Sequence, residues 1–432
     1  MVIYMSLMKK SIFSIFLSAL MTVGCNQVEL DDPCYTDGSG RTFTASFEQS
    51  ETRTYVEDGN LLRWNAGDQI SLFDCNDQNL QYEFDGETGD DSGTFSFIGT
   101  SYGSGNDLSA NYAVYPYASD VKITGDGVIT VTLPAQQNYA ENSFGLCANT
   151  MVAVTKDADD TFLKFKNACG YLKLQLYGDD VTVQSITLTG NKNEKLAGKA
   201  TVTPVYGEAP VVSMDADAVK TITLDCGDGV KIGTTEESAT AFWIVVPPID
   251  FESGFTVTIT NTLGMKFSKS TSNEILIERN VIKPMEAFEV QIAKILNDEI
   301  RYTASERARP YYDDEFGAKI DYNSFNYNTG EGVIKFKGDV TEIGYYAFYM
   351  CIELKSIYIP SSVEEFGMMA LYGCRNIRKI YCLGVDPPRG ADRMFAGLPS
   401  DMMIYVPMES VDKYKKAWYW SDYKSRIVGC NF

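Results

Sequence analysis

From about residue 41 to 294, apolar and polar positions alternate with period two. Ile129-Thr130-Val131-Thr132-Leu133, Leu172-Lys173-Leu174-Gln175-Leu176 and Phe255-Thr256-Val257-Thr258-Ile259 each put their apolar side chains on one face, as half-buried strands require. Asp126-Gly127 between Ile123 and Val128-Ile129 predicts a tight hairpin, and Asp228-Gly229 ahead of Val230 predicts another. No helical period interrupts the stretch. Short strands with frequent Gly, Asp and Asn turns predict antiparallel β-sandwiches. The polar run Lys156-Asp157-Ala158-Asp159-Asp160 divides them into two, at 41–158 and 159–296.

Beyond residue 297 the pattern changes to a repeat with a countable period. Val340-Thr341-Glu342-Ile343-Gly344 returns 23 residues later as Val363-Glu364-Glu365-Phe366-Gly367. Ala347-Phe348 returns as Ala370-Leu371, Cys351 as Cys374 and Leu354 as Ile377, while Ile334, Ile357 and Ile380 keep the same step. Residues 297–432 are therefore expected to stack four strands, 333–337, 355–359, 378–382 and 403–406, whose shared core no unit could build alone. Residues 414–423, with Trp418 and Trp420, are expected to cap the open end. Ile334/Phe336, Ile357/Ile359, Ile380/Cys382 and Ile404/Val406 should point inward. Alternation then turns Lys335, Tyr358, Tyr381 and Tyr405 outward, with Lys337, Ser356, Lys379 and Met403 beside them. Tyrosine suits recognition because it offers large contact area and a hydroxyl. Such a strip, centred on Tyr381, either docks a ligand or merely stiffens the sheet.

At the other end, Met8-Lys9-Lys10 precedes an apolar run from Ser11 to Val23. That run is shorter than the ~20 residues a membrane span needs and reads as a secretory signal, with translation starting at Met1 or Met8. Residues 1–24 form this signal peptide. Leu20-Met21-Thr22-Val23-Gly24-Cys25 resembles a bacterial lipoprotein box, with Cys25 as the lipidated residue and Thr22 a departure from the preferred leucine. Residues 25–40 then form an acidic tether, similar to the export signal of Bacteroidetes surface lipoproteins. Membrane attachment would be through the lipid anchor only.

Composition narrows the chemistry. The chain carries 37 basic and 58 acidic residues, a net charge of −21, which makes nucleic acid an unsuitable partner. Residues 300–432 hold 17 of each sign and 15 of the 27 tyrosines, so the acidity belongs to the first part. There is no histidine, which removes the Ser-His-Asp and Cys-His nucleophiles and His-ligated zinc. Gly99-Thr100-Ser101-Tyr102-Gly103 matches a nucleophile elbow only as a string, because nothing can activate Ser101. Gly198-Lys199-Ala200 lacks a phosphate loop's flanking residues. Asp74 to Asn79 lacks the glycine and distal glutamate of a calcium loop. Carboxylate pairs such as Asp90-Asp91 and Asp313-Asp314 have no second carboxylate placed across a cleft, as a glycosidase needs. The cysteines are scattered without metal-ligand spacing, so buried thiols are expected. No catalytic residue, metal or cofactor is expected.

Two resemblances complete the reading. Thr52-Arg53-Thr54, Trp64-Asn65-Ala66-Gly67-Asp68-Gln69-Ile70 and Ala113-Val114-Tyr115-Pro116-Tyr117 resemble the fimbrillin-like lipoproteins of Bacteroidetes. That resemblance implies two transthyretin-like sandwiches in tandem. It also implies cleavage after an N-terminal arginine, here Arg53, that opens a groove for a neighbour's strand. Phe336-Lys337-Gly338-Asp339-Val340 through Gly344, and Ile404-Tyr405-Val406-Pro407 with Ser410-Val411-Asp412, resemble BspA-type leucine-rich repeats, which implies surface display and adhesion. The expectation is a mainly β protein of two sandwiches and a short leucine-rich repeat solenoid cap, lipid-anchored at the outer membrane and facing outward. It would bind an extracellular protein or glycan through Lys335, Tyr358, Lys379, Tyr381 and Tyr405. The alternatives are a fimbrial accessory or tip subunit, with fimbrial subunits as partners, and a glycan-capture lipoprotein for nutrient uptake.

Overall fold

The computed structural model describes residues 41–48, 62–99, 105–292 and 294–432. The expected signal peptide and tether, Cys25, Arg53 and Ser101 lie outside the described residues.

The chain is mostly strand. Its first unit is a closed seven-stranded barrel rather than an open sandwich. Around the barrel run Phe43–Phe47, Phe162–Asn167, Met151–Val154, Tyr112–Tyr115, Gln69–Phe73, Leu80–Phe84 and Ser92–Phe97. The first strand closes it, running parallel to Phe162–Asn167 and antiparallel to Ser92–Phe97. Closure leaves no strand edge exposed.

The expected boundary at Ala158 and Asp159 does not separate the sheets. Phe162–Asn167, beyond it, belongs to the barrel. Ile129–Leu133, before it, pairs with Gly198–Thr203, and Gln136–Ala140 pairs with Thr221–Lys231. The two units therefore exchange strands and share cores. Thr240–Val246 is a central strand whose Phe242, Ile244 and Val246 face one core and whose Trp243 and Val245 face another. That double burial explains why its sequence is apolar without alternating.

Asp126-Gly127 forms the expected turn, with Gly127 at φ +77° between the antiparallel strands Lys122–Ile123 and Ile129–Leu133. Asp228-Gly229 does not. It lies in a bulge inside Thr221–Lys231, where the register against Thr182–Gly190 shifts and Gly227 and Gly229 have φ of +58° and +102°.

In the C-terminal part, Leu354–Ile359, Lys379–Cys382 and Met403–Pro407 are parallel and in register, Ile357 with Ile380 and Ile380 with Ile404. The first expected strand is not their neighbour. Glu299–Ala304 inserts antiparallel between Glu331–Phe336 and Leu354–Ile359, and Ile320–Asn326 covers the outer edge. The cap also differs. A short helix, Val411–Lys416, and a 3-10 turn bury Tyr414 and Trp420 beneath the sheet, after which Ile427–Cys430 adds a further parallel strand. Trp420 Nε1 donates to Pro388 O at 2.7 Å, while Trp418 is exposed. All eight expected inward positions are buried.

Cys75 is disulfide-bonded, unlike the expected thiol. Cys351, Cys374 and Cys382 are free and buried, whereas free Cys147 is exposed. Among the described residues no helix is long and apolar enough to cross a membrane.

Candidate functional site

Parallel pairing in register places Tyr358, Tyr381 and Tyr405 on adjacent strands of one sheet face. Their rings stack, with centroids 4.6 Å apart at 5° for the first pair and 4.8 Å at 21° for the second. The expected ladder exists, but it is covered. Tyr358 is 6% exposed and Tyr381 3%, because the Asn261-to-Met265 turn of the preceding part packs on them through Leu263, with Met265, Ile295 and Phe432 around it. Tyr358 Oη donates to Leu263 O at 2.5 Å. Burial pushes the Tyr358 phenol up to about 12 and raises Tyr381 further, so both stay neutral at physiological pH.

The chain's end completes this contact. Thr262 Oγ1 donates to Asn431 O, Cys430 Sγ donates to Thr262 O at 3.6 Å, and Asn431 Nδ2 donates to Asp228 O at 3.1 Å. The middle of the expected binding face is thus a seam between the two parts. Lys335 is separated from the ladder by the inserted Glu299–Ala304 strand. It pairs instead with Asp298 at 2.6 Å, a hydrogen bond that raises its pKa. Lys379 stays at the ladder, with Nζ 5.8 Å from the Tyr405 ring centre.

Where the covering turn stops, a groove of about 580 Å³ opens on the same face. Gly264, at φ +77°, forms its rim, and a side chain built there would approach Tyr358 Oη at 3.7 Å. Its walls repeat along the strands, since Lys355 and Ser356 on one are followed by Arg378 and Lys379 on the next. Tyr358 and Tyr381 line its inner end. The sequence pointed to Tyr358, Tyr381 and Lys379. It missed Lys355, Arg378 and Asn376, although the 23-residue step marks them as equivalents of one another or of Glu353.

A second aromatic group lies on the turn side of the repeats. Tyr311, Tyr312, Tyr345, Tyr346, Tyr349 and Tyr372 form a linked set with neighbouring centroids 4.1 to 6.4 Å apart. Tyr346 and Met369, one repeat apart, both sit at φ +57°, unfavourable for bulky side chains.

The barrel offers a different kind of site. Its first strand buries Phe43 and Ala45 completely or nearly so. Arg41 pairs with Asp74 at 2.9 Å ahead of that strand, and Glu48 pairs with Arg279 at 2.5 Å just past it. Among the described residues, no group of three or more Cys, Asp or Glu side chains could hold a metal ion.

The sequence profile of fimbrillin-like proteins matches residues 52–287, more than half of the chain. The chain belongs to the fimbrillin-like family. Behind the fimbrillin-like region, residues 318–385 match the profile of a BspA-type leucine-rich repeat region of six copies. No curated protein matches the chain. Among solved structures, it is similar to a protein assigned to cell adhesion from Bacteroides ovatus, at 14% identity over 54% of this chain and 87% of that one, with a TM-score of 0.34. A protein assigned to cell adhesion from Bacteroides uniformis gives 19% identity, coverages of 53% and 82%, and a TM-score of 0.31. A fimbrial protein from Bacteroides ovatus gives 15%, coverages of 62% and 53%, and 0.27.

Proposed function

We propose that this fimbrillin-like protein is a non-catalytic adhesion protein, lipid-anchored through Cys25 and displayed at the cell surface, that recognises an extracellular protein or glycan through its repeat part. Membership of the family supports the adhesin or fimbrial-type role. The groove beside the tyrosine ladder is the observation that carries recognition to the repeats. It sits where two parts of the chain meet and gathers polar side chains on one face. Beads bearing the intact chain should adhere to surfaces coated with extracellular proteins or glycans. A Fab against the repeats should release them, and one against the fimbrillin-like region should not. Release by the second Fab alone would overturn the assignment.

The barrel's closing strand favours a second role, as a fimbrial subunit. Removing Phe43–Phe47 would expose the edges of Ser92–Phe97 and Phe162–Asn167, with a vacated row beside Trp64 that a neighbour's strand fits by strand addition. An arginine-specific protease should cleave at Arg53, release residues 41–48 and yield oligomers, whereas Arg53→Ala should remain intact and monomeric under the same treatment. A cleaved chain that kept the strand and stayed monomeric would exclude this role.

A further inference from the structure

We propose that the groove on the repeat sheet binds an acidic oligosaccharide, an inference that rests on the adhesion reading and gives its ligand a chemical class. Three cations, Lys355, Arg378 and Lys379, line the groove against one carboxylate, Glu353, on a chain whose net charge is −21. Glu353 accepts from Cys351 Sγ at 3.5 Å. Arg378 is held in place, with Nη1 donating to Arg375 O and Ile377 O and Nε 3.2 Å from Asp401. Among the described residues, Lys355 and Lys379 have no carboxylate within ion-pair distance. An anion is the ligand class that such a lining recognises.

Neutral groups separate a sugar from an acidic peptide. Neutral hydrogen-bonding groups, Thr303, Ser305, Ser356 and Asn376, sit among the cations. Thr303 and Ser356 hydroxyls are 2.7 Å apart, forming a fixed pair beside the tyrosine rings. Hydroxyl-rich rings exchange hydrogen bonds with such groups along their length.

Parallel pairing sets the cationic Lys355 beside the cationic Arg378 on adjacent strands, with rungs about 4.8 Å apart. A polymer of repeating units meets like donors at successive rungs.

The test uses the intact protein and calorimetry with a sulfated, uronic-acid-containing hexasaccharide of the heparin type. Neutral maltohexaose and a hexa-aspartate peptide serve as comparators. The acidic sugar should bind, weaken as salt rises, and exceed both comparators at least tenfold. The double change Arg378→Ala/Lys379→Ala should reduce that affinity at least tenfold. Asn376→Trp, which fills the groove without changing its charge, should do the same with an unaltered melting temperature. No measurable binding of the hexasaccharide, or binding untouched by both variants, would overturn the assignment. Equal binding of hexa-aspartate would make this a site for acidic peptides and overturn the sugar. Bead adhesion that persists in both variants and remains sensitive to the anti-repeat Fab would reject this groove while leaving adhesion by the repeats intact. Adhesion insensitive to that Fab would remove the broader reading as well.

Discussion

Trp64→Ala should destabilise the fimbrillin-like region by about 3–5 kcal/mol, the range for deleting a buried large aromatic side chain. Trp64 is 1% exposed and stacks on Phe47 at 4.4 Å. It meets Phe95 at 5.0 Å, Phe165 at 5.3 Å, Tyr115 at 5.6 Å and Phe84 at 5.8 Å. Those five rings come from five of the seven barrel strands. One truncation therefore loosens the barrel all round, including its contact with the closing strand. Trp64 Nε1 has no hydrogen-bond partner among the described residues, so the indole stabilises by packing. Trp64→Phe should accordingly recover much of the loss. Urea unfolding of the three proteins measures both effects, and a cost below ~1 kcal/mol for the alanine change would contradict this account of the core.

Ile380→Ala should cost about 2–5 kcal/mol in the repeat part, and Ile380→Val about 0.5–1.5 kcal/mol. Ile380 is fully buried and lies in register between Ile357 and Ile404. A cavity there has a neighbour on each side whose own packing depends on it, and rigid parallel strands relax little into the space. Tyr381, the next residue, carries the middle ring of the stack on the opposite face. The near-ultraviolet dichroism of the tyrosines should therefore disappear in the same shifted transition. An unshifted urea midpoint would show that the repeat core does not run through this position.

Much of the strand content was legible because alternation is a local property. Ile129–Leu133 stands as its own strand, and the patterns around Leu174 and Val257 lie within longer ones. Barrel closure was not legible, since Thr44 pairs with Phe162 across more than a hundred residues and neither sequence names its partner. The repeat step identified Ile357 and Ile380 as neighbours, and the series continued to Ile404 one residue beyond the step. It failed for Ile334, because Glu299–Ala304 lies outside the repeat and still enters the sheet between them. Alternation also placed Tyr358 and Tyr381 on the correct face. What it does not carry is burial, which here depends on Leu263, from a turn nearly a hundred residues upstream. The turn-side tyrosines went unread for another reason. They sit in irregular turns, where the usable signal was the recurrence of turn positions at Tyr346 and Met369 rather than any strand pattern.

The anchoring of the chain's end has a consequence for how this protein can change over generations. Arrays of this kind ordinarily gain or lose copies by duplication of a unit. Here the last parallel strand, Ile427–Cys430, runs directly into Cys430 and Asn431, which are fastened to Thr262 and Asp228. A duplicated unit inserted before that strand would carry it about 4.8 Å farther along the sheet, out of reach of both partners. Copy number is therefore fixed by a neighbour that is not part of the array. If the groove binds as proposed above, variation in its ligand would come from substitutions at positions such as Lys355, Asn376 and Arg378, and not from lengthening the sheet.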